Sequence, residues 1–445
     1  MKRTDCNYLV HQILRFVFLL VCAALVAISC KSQDQINFHM QKGNVLVNED
    51  SYTGYDQALD QYRAVYELDH KHFEALARMG FICAVLVGEF GAPADLLKEG
   101  KKYIDEADAL EQNSSLLVSA KALLIVYGNG NKSDAIKLLQ NALASDQESS
   151  LLHTTLGYVH LNLNAVAESS EELTRGIKPN DIRSLVGLGI TAMRRSRYTE
   201  ANNFFNLALK NDSNHVTTML NKGLLALRRG NTPANNKEAD DMLKKFRLIS
   251  ENTASQYEKR IAKCIEIILT LRGPLRAKGL YQLKTALDKE KDDGLFSFVA
   301  AREYRQQGMP AEATVAIKKS LSIDPTRPDF ELEQAAIFLD SKNYEAARYH
   351  ALRIHSHDSG NLESLLIAGD ASVGEKNFEN ALEYFNQAKK ADPTFTPPYA
   401  RIGCSPELTK LVGNEASRAN CERYLQLDPQ GEYVPACQKV VMSAR

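Results

Sequence analysis

Apolar positions along this chain recur at intervals of three and four, as in Leu185, Leu188, Gly189 and Ala192, and do not alternate. That period predicts amphipathic helices and gives a β-rich fold little support. A longer period lies over the helical one. Glycine returns at Gly80, Gly157, Gly189, Gly223, Gly369 and Gly403, with intervals of 32 and 34 residues from Gly157 to Gly189 to Gly223. Alanine returns at Ala58, Ala201, Ala313, Ala346 and Ala381, the last three separated by 33 and 35 residues. Pro325, Asp358, Pro393 and Pro429 punctuate the chain at corresponding places. Short side chains on two neighbouring helices allow a close approach of their axes. A proline lacks the backbone donor and clashes with the preceding turn, so it ends the second helix of each pair.

The clearest copy runs from Leu362 to Pro393, with Leu365, Gly369, Ala381, Phe385, Ala388 and Pro393 in the large-apolar, glycine, alanine, aromatic, alanine and proline slots. This set resembles the tetratricopeptide repeat, whose unit is a helix-turn-helix of about 34 residues. The resemblance implies an all-α fold, a right-handed superhelical α-solenoid of about eleven such repeats. It covers residues 36–431, is degenerate around 231–293, and leaves residues 432–445 as a capping helix. Phe385 is expected to fill the volume between one helix pair and the next. Asn231 to Asn236 reads as an inserted turn, Thr253 to Arg272 as an overlong first helix, and Gly88 to Ala94 as a second insertion. Because a solenoid grows by addition, the length of 445 residues does not force a division, and a single continuous array is expected.

At the N-terminus, Lys2, Arg3 and Arg15 precede an apolar run from Phe16 to Ile28 that ends at Ser29 and Cys30. Basic flank, short apolar stretch and small residue make the order of a secretory signal. The run is short of the roughly 20 residues that span a bilayer. Ala27, Ile28, Ser29 and Cys30 resemble a bacterial lipobox, which implies a signal peptide over residues 1–29, lipidation of Cys30, and a short polar tether over 30–35. An uncleaved anchor is the competing reading. Lys31 after the cysteine implies, by the same resemblance, an outer-membrane lipoprotein facing the periplasm, with inner-membrane anchoring as the alternative.

A formal net charge of −1 offers no basic stripe for nucleic acid, and none is expected as a partner. Once Cys6, Cys22 and Cys30 are assigned to the leader, Cys83, Cys264, Cys404, Cys421 and Cys437 remain. Cys83, three residues after Gly80, and Cys264 read as inert core residues. Cys421 and Cys437 lie on antiparallel neighbours across a turn at Pro429, where a disulfide is possible; free thiols and a Cys404 to Cys421 pairing stay open.

Other motifs fail on context. Gly128, Gly130, Lys132 and Ser133 lack the spacing and the preceding strand of a phosphate loop, and read as a turn. His350, His355, His357 and Asp358 do not share the helical spacing of metal ligands, and His70 and His72 fall in a turn, so no metal and no cofactor are expected. No nucleophile, base and orienter set is recognisable, so catalysis is not expected.

A surface remains. In the repeat family the first helices line the concave face, which implies a peptide-binding groove built from Tyr158, Leu161, Ile190, Met193, Arg194, Leu220, Leu224, Arg228, Arg302 and Arg305. Apolar anchors and arginines together suit a peptide or protein partner with some acidic residues. The expected function is a non-enzymatic scaffold for envelope machinery (pilus, secretin or polysaccharide export). The alternative is an accessory regulator of a cell-wall or polysaccharide enzyme. Oligomeric state is not legible.

Overall fold

The computed structural model describes residues 33–443 apart from 112, 179–180, 196, 251, 290–293 and 430. The expected signal peptide and Cys30 lie outside the described residues. Every regular element among the described residues is helical, and the helices form hairpins that follow one another in sequence order, an α-solenoid of helical repeats. No helix among them is long and apolar enough to cross a membrane. Residues 33–35, expected to belong to a polar tether, are already helical, and Ile36 and Met40 after them are buried.

The hairpins fall into two compact units where one undivided array was expected. The first holds three hairpins, residues 33–47 with Tyr52–Leu68, Phe73–Phe90 with Asp95–Asp108, and Ser115–Tyr127 with Lys132–Ser145. The boundary runs through the helix Ser150–Asn162. In the second unit Val166–Gly176 is followed by Ile182–Arg194 with Tyr198–Asn211, Val216–Arg228 with Pro233–Ser250, and Gln256–Arg272 with Arg276–Lys289, except that residues 252–257 fall in the first unit. Then come Gly294–Gln306 with Pro310–Ile323, Pro328–Asp340 with Tyr344–His357, and Leu362–Gly374 with Phe378–Ala391.

The last hairpin is irregular. Its first helix, Pro397–Cys404, stops at Ser405, and a short helix, Pro406–Val412, intervenes before Asn414–Leu427 and the capping helix Val434–Ser443. Ser405 ends one helix and caps the next, its hydroxyl accepting the backbone N–H of Leu408 at 3.3 Å, while Pro406 takes the first helical position, where its missing N–H costs nothing. The degenerate middle also differs from expectation. Asn231 to Asn236 is not wholly a turn, because Pro233 already opens an 18-residue helix. The extra residues are absorbed as added helical turns, which keep their backbone groups hydrogen-bonded.

Within a hairpin the glycine slot faces the aromatic slot 16 residues later. A Cβ on Gly369 would lie 2.3 Å from the ring of Phe385, and one on Gly189 would lie 2.3 Å from the ring of Phe205. Both phenylalanines are fully buried, so Phe385 fills a notch inside its own hairpin as well as the space between hairpins. The turn that joins the two helices carries the same period. Gly308, Lys342 and Lys376, each 34 residues after the last, adopt φ of 71°, 60° and 62°. This left-handed residue lets the chain reverse after the first helix, and a lysine at two of the three positions hides it from a reading based on glycine.

The second unit is more than a stack of neighbours. Arg195 donates to both carboxylate oxygens of Asp358, at 3.1 and 2.9 Å. Arg197 donates to the carbonyl of Gly360, and the Tyr198 hydroxyl to Glu363 at 3.1 Å. Asn164 donates to Asp324 at 3.2 Å. These bonds join turns about 160 residues apart in sequence and bind the second unit into a body of its own. A stack with contacts only between adjacent repeats would have no reason to divide there.

Gly369→Ala isolates the helix-approach term. Alanine is favoured over glycine in a helix by about 1 kcal/mol, yet the added methyl overpacks against Phe385, at a typical cost of about 1–3 kcal/mol. The expected outcome is a lower urea midpoint by circular dichroism, largely restored when Phe385→Leu is added. A higher midpoint for Gly369→Ala alone would show that the two helices do not meet there.

Candidate functional site

First helices of the second unit border a cleft of about 290 Å³. Tyr198, Phe298, Leu332, Leu339, Leu366 and Ile367 supply its apolar walls. Four arginines, Arg228, Arg302, Arg305 and Arg401, meet five carboxylates, Asp329, Glu333, Asp340, Glu363 and Asp370. The cleft therefore has no excess of positive charge, in contrast to the basic face expected from the arginines alone.

Most of the expected groove residues lie elsewhere. Leu220 is fully buried, and Leu161, Met193 and Leu224 are nearly so. Ile190 packs against the buried cluster of Ile182, Leu185, Val186 and Ala208. Tyr158 donates its hydroxyl to the carbonyl of Arg183 at 3.0 Å, and the Arg183 guanidinium covers its ring. None of these six lines the cleft. Successive first helices pack on one another, as Ile182–Arg194 does on Val216–Arg228, and that contact consumes the apolar positions assigned to the inner face.

The arginines divide by what they touch. Three of them tie a first helix to the end of an earlier one, the preceding one for Arg194 and Arg272 and the one before that for Arg302. Arg194 donates to the carbonyl of Leu161 at 2.8 Å, Arg272 to that of Leu227 at 3.2 Å, and Arg302 to that of Arg228 at 2.6 Å. A cation placed there satisfies carbonyls that the helix leaves open and complements the negative end of its dipole. Carboxylates take up several guanidiniums. Arg228 pairs with Asp329 at 3.0 Å, both side chains only 6% exposed, and Arg272 pairs with Glu303 at 2.9 Å. Arg305 contacts Glu333 and Asp340, and Arg401 grips Asp370 through Nε and Nη2.

Arg302 is different. Its described contacts are the Arg228 carbonyl and no carboxylate within ion-pair distance; its buried Nε has no partner, as is also true of Arg228 and Arg272. Burial works against its charge, but Tyr198, Glu333 and Glu363 outweigh that and hold its pKa above the ordinary value. A cation without a carboxylate partner among the described residues thus lines the cleft together with the half-buried Leu339 and Leu366.

The cysteines are arranged unexpectedly. Cys421 and Cys437 do stand together, but Cys404 joins them, its Sγ 3.7 Å from that of Cys421 and 3.4 Å from that of Cys437. None of the three is in a disulfide, and neither is Cys83 or Cys264, which are buried in the core. Hydrogen bonding to Cys421, against some burial, holds the Cys404 thiol down to about 6, with Cys437 and the charge of Arg401 acting in the same direction. Burial pushes Cys437 up to about 12. His350 and His355 share one helix and do not converge with other ligands among the described residues, and burial lowers the pKa of each.

Residues 362–395 match the family model described as tetratricopeptide repeat. The chain is similar in structure to a MamA RS-1 ArsTM double mutant, at 17% identity and a TM-score of 0.32, over 38% of this chain and 97% of that one. It is also similar to PilF of Pseudomonas aeruginosa, at 13% identity and a TM-score of 0.34, over 60% of this chain and 98% of that one. No curated protein matches the sequence. A tetratricopeptide repeat is present at 362–395, and repeats of that kind generally bind proteins.

The Arg228 to Asp329 pair makes stability depend on pH. Burial would raise the Asp329 carboxyl, but Arg327, Arg228 and Arg194 outweigh it and hold its pKa well below the usual carboxylate range. A depressed folded pKa contributes stability above the unfolded value of about 3.9, and that contribution is lost as pH falls through and below it. Removing one member of a buried pair typically costs about 3–5 kcal/mol. Asp329→Asn is therefore expected to lower the urea midpoint at pH 7 and to flatten the fall in stability below about pH 4. Equal pH profiles for the two proteins would show that Asp329 does not carry this term.

Proposed function

We propose that the chain is a non-enzymatic protein-interaction scaffold that receives an extended partner segment in the cleft of its second unit. One observation carries this reading. Arg302 sits at an open, partly apolar cleft with no carboxylate partner among the described residues, while Arg228, Arg305 and Arg401 around it are all paired. The segment that fits supplies a carboxylate to Arg302 and apolar side chains to Leu339 and Leu366. A hydrogen bond to a charged group contributes about 1.5–3 kcal/mol, so this contact is worth roughly tenfold to a hundredfold in affinity. The reading differs from the groove expected from sequence in resting on one arginine instead of a basic face.

The leader sequence supplies the compartment. With Cys30 acylated, the chain is an outer-membrane lipoprotein whose scaffold faces the periplasm and serves assembly of envelope machinery such as a pilus, a secretin or a polysaccharide exporter. Its partner is then a subunit of that machinery.

A photo-crosslinking amino acid at Leu339, introduced in the native host, tests the cleft. The expected product is a discrete adduct with an envelope-machinery subunit, reduced about tenfold by Arg302→Ala while circular dichroism is unchanged. An adduct insensitive to Arg302→Ala would move binding away from the cleft. A cell-wall hydrolase or polysaccharide synthase in the adduct would replace assembly with regulation. Cys30→Ala tests the anchor separately: the variant is expected in the soluble fraction, and continued membrane retention would favour an uncleaved apolar leader.

A further inference from the structure

We propose that Cys404, Cys421 and Cys437 form a three-thiolate site for a soft divalent cation of the zinc class. Three helices of the terminal hairpin bring the sulfurs together: Cys404 is the last residue of Pro397–Cys404, Cys421 lies in Asn414–Leu427, and Cys437 in the capping helix Val434–Ser443. All three ligand atoms lie within 4.8 Å of one another, Cys404 standing 3.7 Å from Cys421 and 3.4 Å from Cys437. Two thiolates on one tetrahedral zinc, each at about 2.3 Å, stand about 3.8 Å apart. The sulfurs are thus close to the edges of a coordination tetrahedron. A disulfide between any two would use a bond of about 2.05 Å and strand the third thiol; a metal uses all three.

The surroundings suit an ion with one position left open. Cys421 and Cys437 are fully buried, whereas Cys404 is half-buried and lines an open cleft with Thr409, Asn414 and Ser417. A fourth ligand, water or an exogenous donor, has access from that side. Three thiolates on a divalent cation leave one negative charge, and Arg401 stands one turn before Cys404, its guanidinium 4.9 Å from the ring centre of Tyr433, which packs on the cysteine cluster. Gly403 permits the approach, because a Cβ there would come within 2.6 Å of the Cys421 sulfur. The break in the first helix at Ser405 leaves Cys404 at a helix end, facing both other helices. An ion would cross-link the end of the second unit through helices 17 and 33 residues apart along the chain.

The inference is independent of partner binding in the Arg302 cleft. Its test is a titration of the reduced full chain in detergent with Co²⁺ in the absence of oxygen. One equivalent is expected to produce thiolate-to-cobalt charge transfer and the visible bands of a four-coordinate ion, both erased by Zn²⁺. Cys404→Ser, Cys421→Ser and Cys437→Ser should each weaken binding at least tenfold, and Cys264→Ser should leave it unchanged. The wild-type stoichiometry needs no variant to fold. Absence of the charge-transfer band, or full reactivity of all three thiols towards a thiol reagent in excess Zn²⁺, would overturn the proposal. So would a disulfide between any two of them in protein isolated from its native membrane.

Discussion

A phenylalanine ring seated on a glycine sets the working distance of the helices in two hairpins of the second unit. In the Leu362–Gly374 and Phe378–Ala391 pair, Phe385 occupies the space that any side chain at position 369 would need. The same contact joins Phe205 to Gly189, and Leu173 lies against Gly157 in the hairpin before. Once the two helices are that close, Ala381 and Ala388 are fully buried, and the left-handed residue at 376 reverses the chain between them. Everything outside the hairpin, including which face of a first helix is left for a ligand, follows from this spacing.

Charged side chains turn a row of hairpins into a body with an interior. Arg195 with Asp358, and Asn164 with Asp324, link turns five hairpins apart in the second unit. Arg228 and Asp329 meet across 101 residues of sequence in a nearly water-free setting. Buried pairs of this kind offset their own desolvation only when their remaining donors and acceptors are also satisfied. Here the arginines stitch carbonyl ends and carboxylates together, so most of them are structural. Arg302 alone of the four at the cleft has no carboxylate partner among the described residues, which gives the cleft a single point of recognition instead of a broad electrostatic field.

At the end of the second unit the repeat pattern is broken by Pro406, and the break coincides with the convergence of three thiols. In a regular hairpin the first helix would continue past position 404, as others do for 13 residues, and Cys404 would sit in mid-helix instead of at an end. The irregularity and the cysteine cluster are consequences of one local change. That end carries the only group of three or more metal-ligating side chains that converge among the described residues.

By itself the sequence determined the class of fold, the helical period, the hairpin unit and the turn at Gly128 and Gly130, because each depends on local size, backbone freedom or a missing donor and is written within about 34 residues. Lys132 and Ser133, read as part of that turn, open the next helix. The sequence also marked Cys421 and Cys437 as neighbours, since one short turn separates their helices. Tertiary structure decided the rest. Leu220 and Arg228 carry the residue types and spacing of a binding face, but neighbouring helices bury the first and Asp329 pairs with the second. Which of four arginines has no carboxylate partner among the described residues, and whether a third cysteine joins a pair, depends on distances between segments tens to more than a hundred residues apart. No period in the chain encodes those distances, because they are set by how many small rotations accumulate from one hairpin to the next.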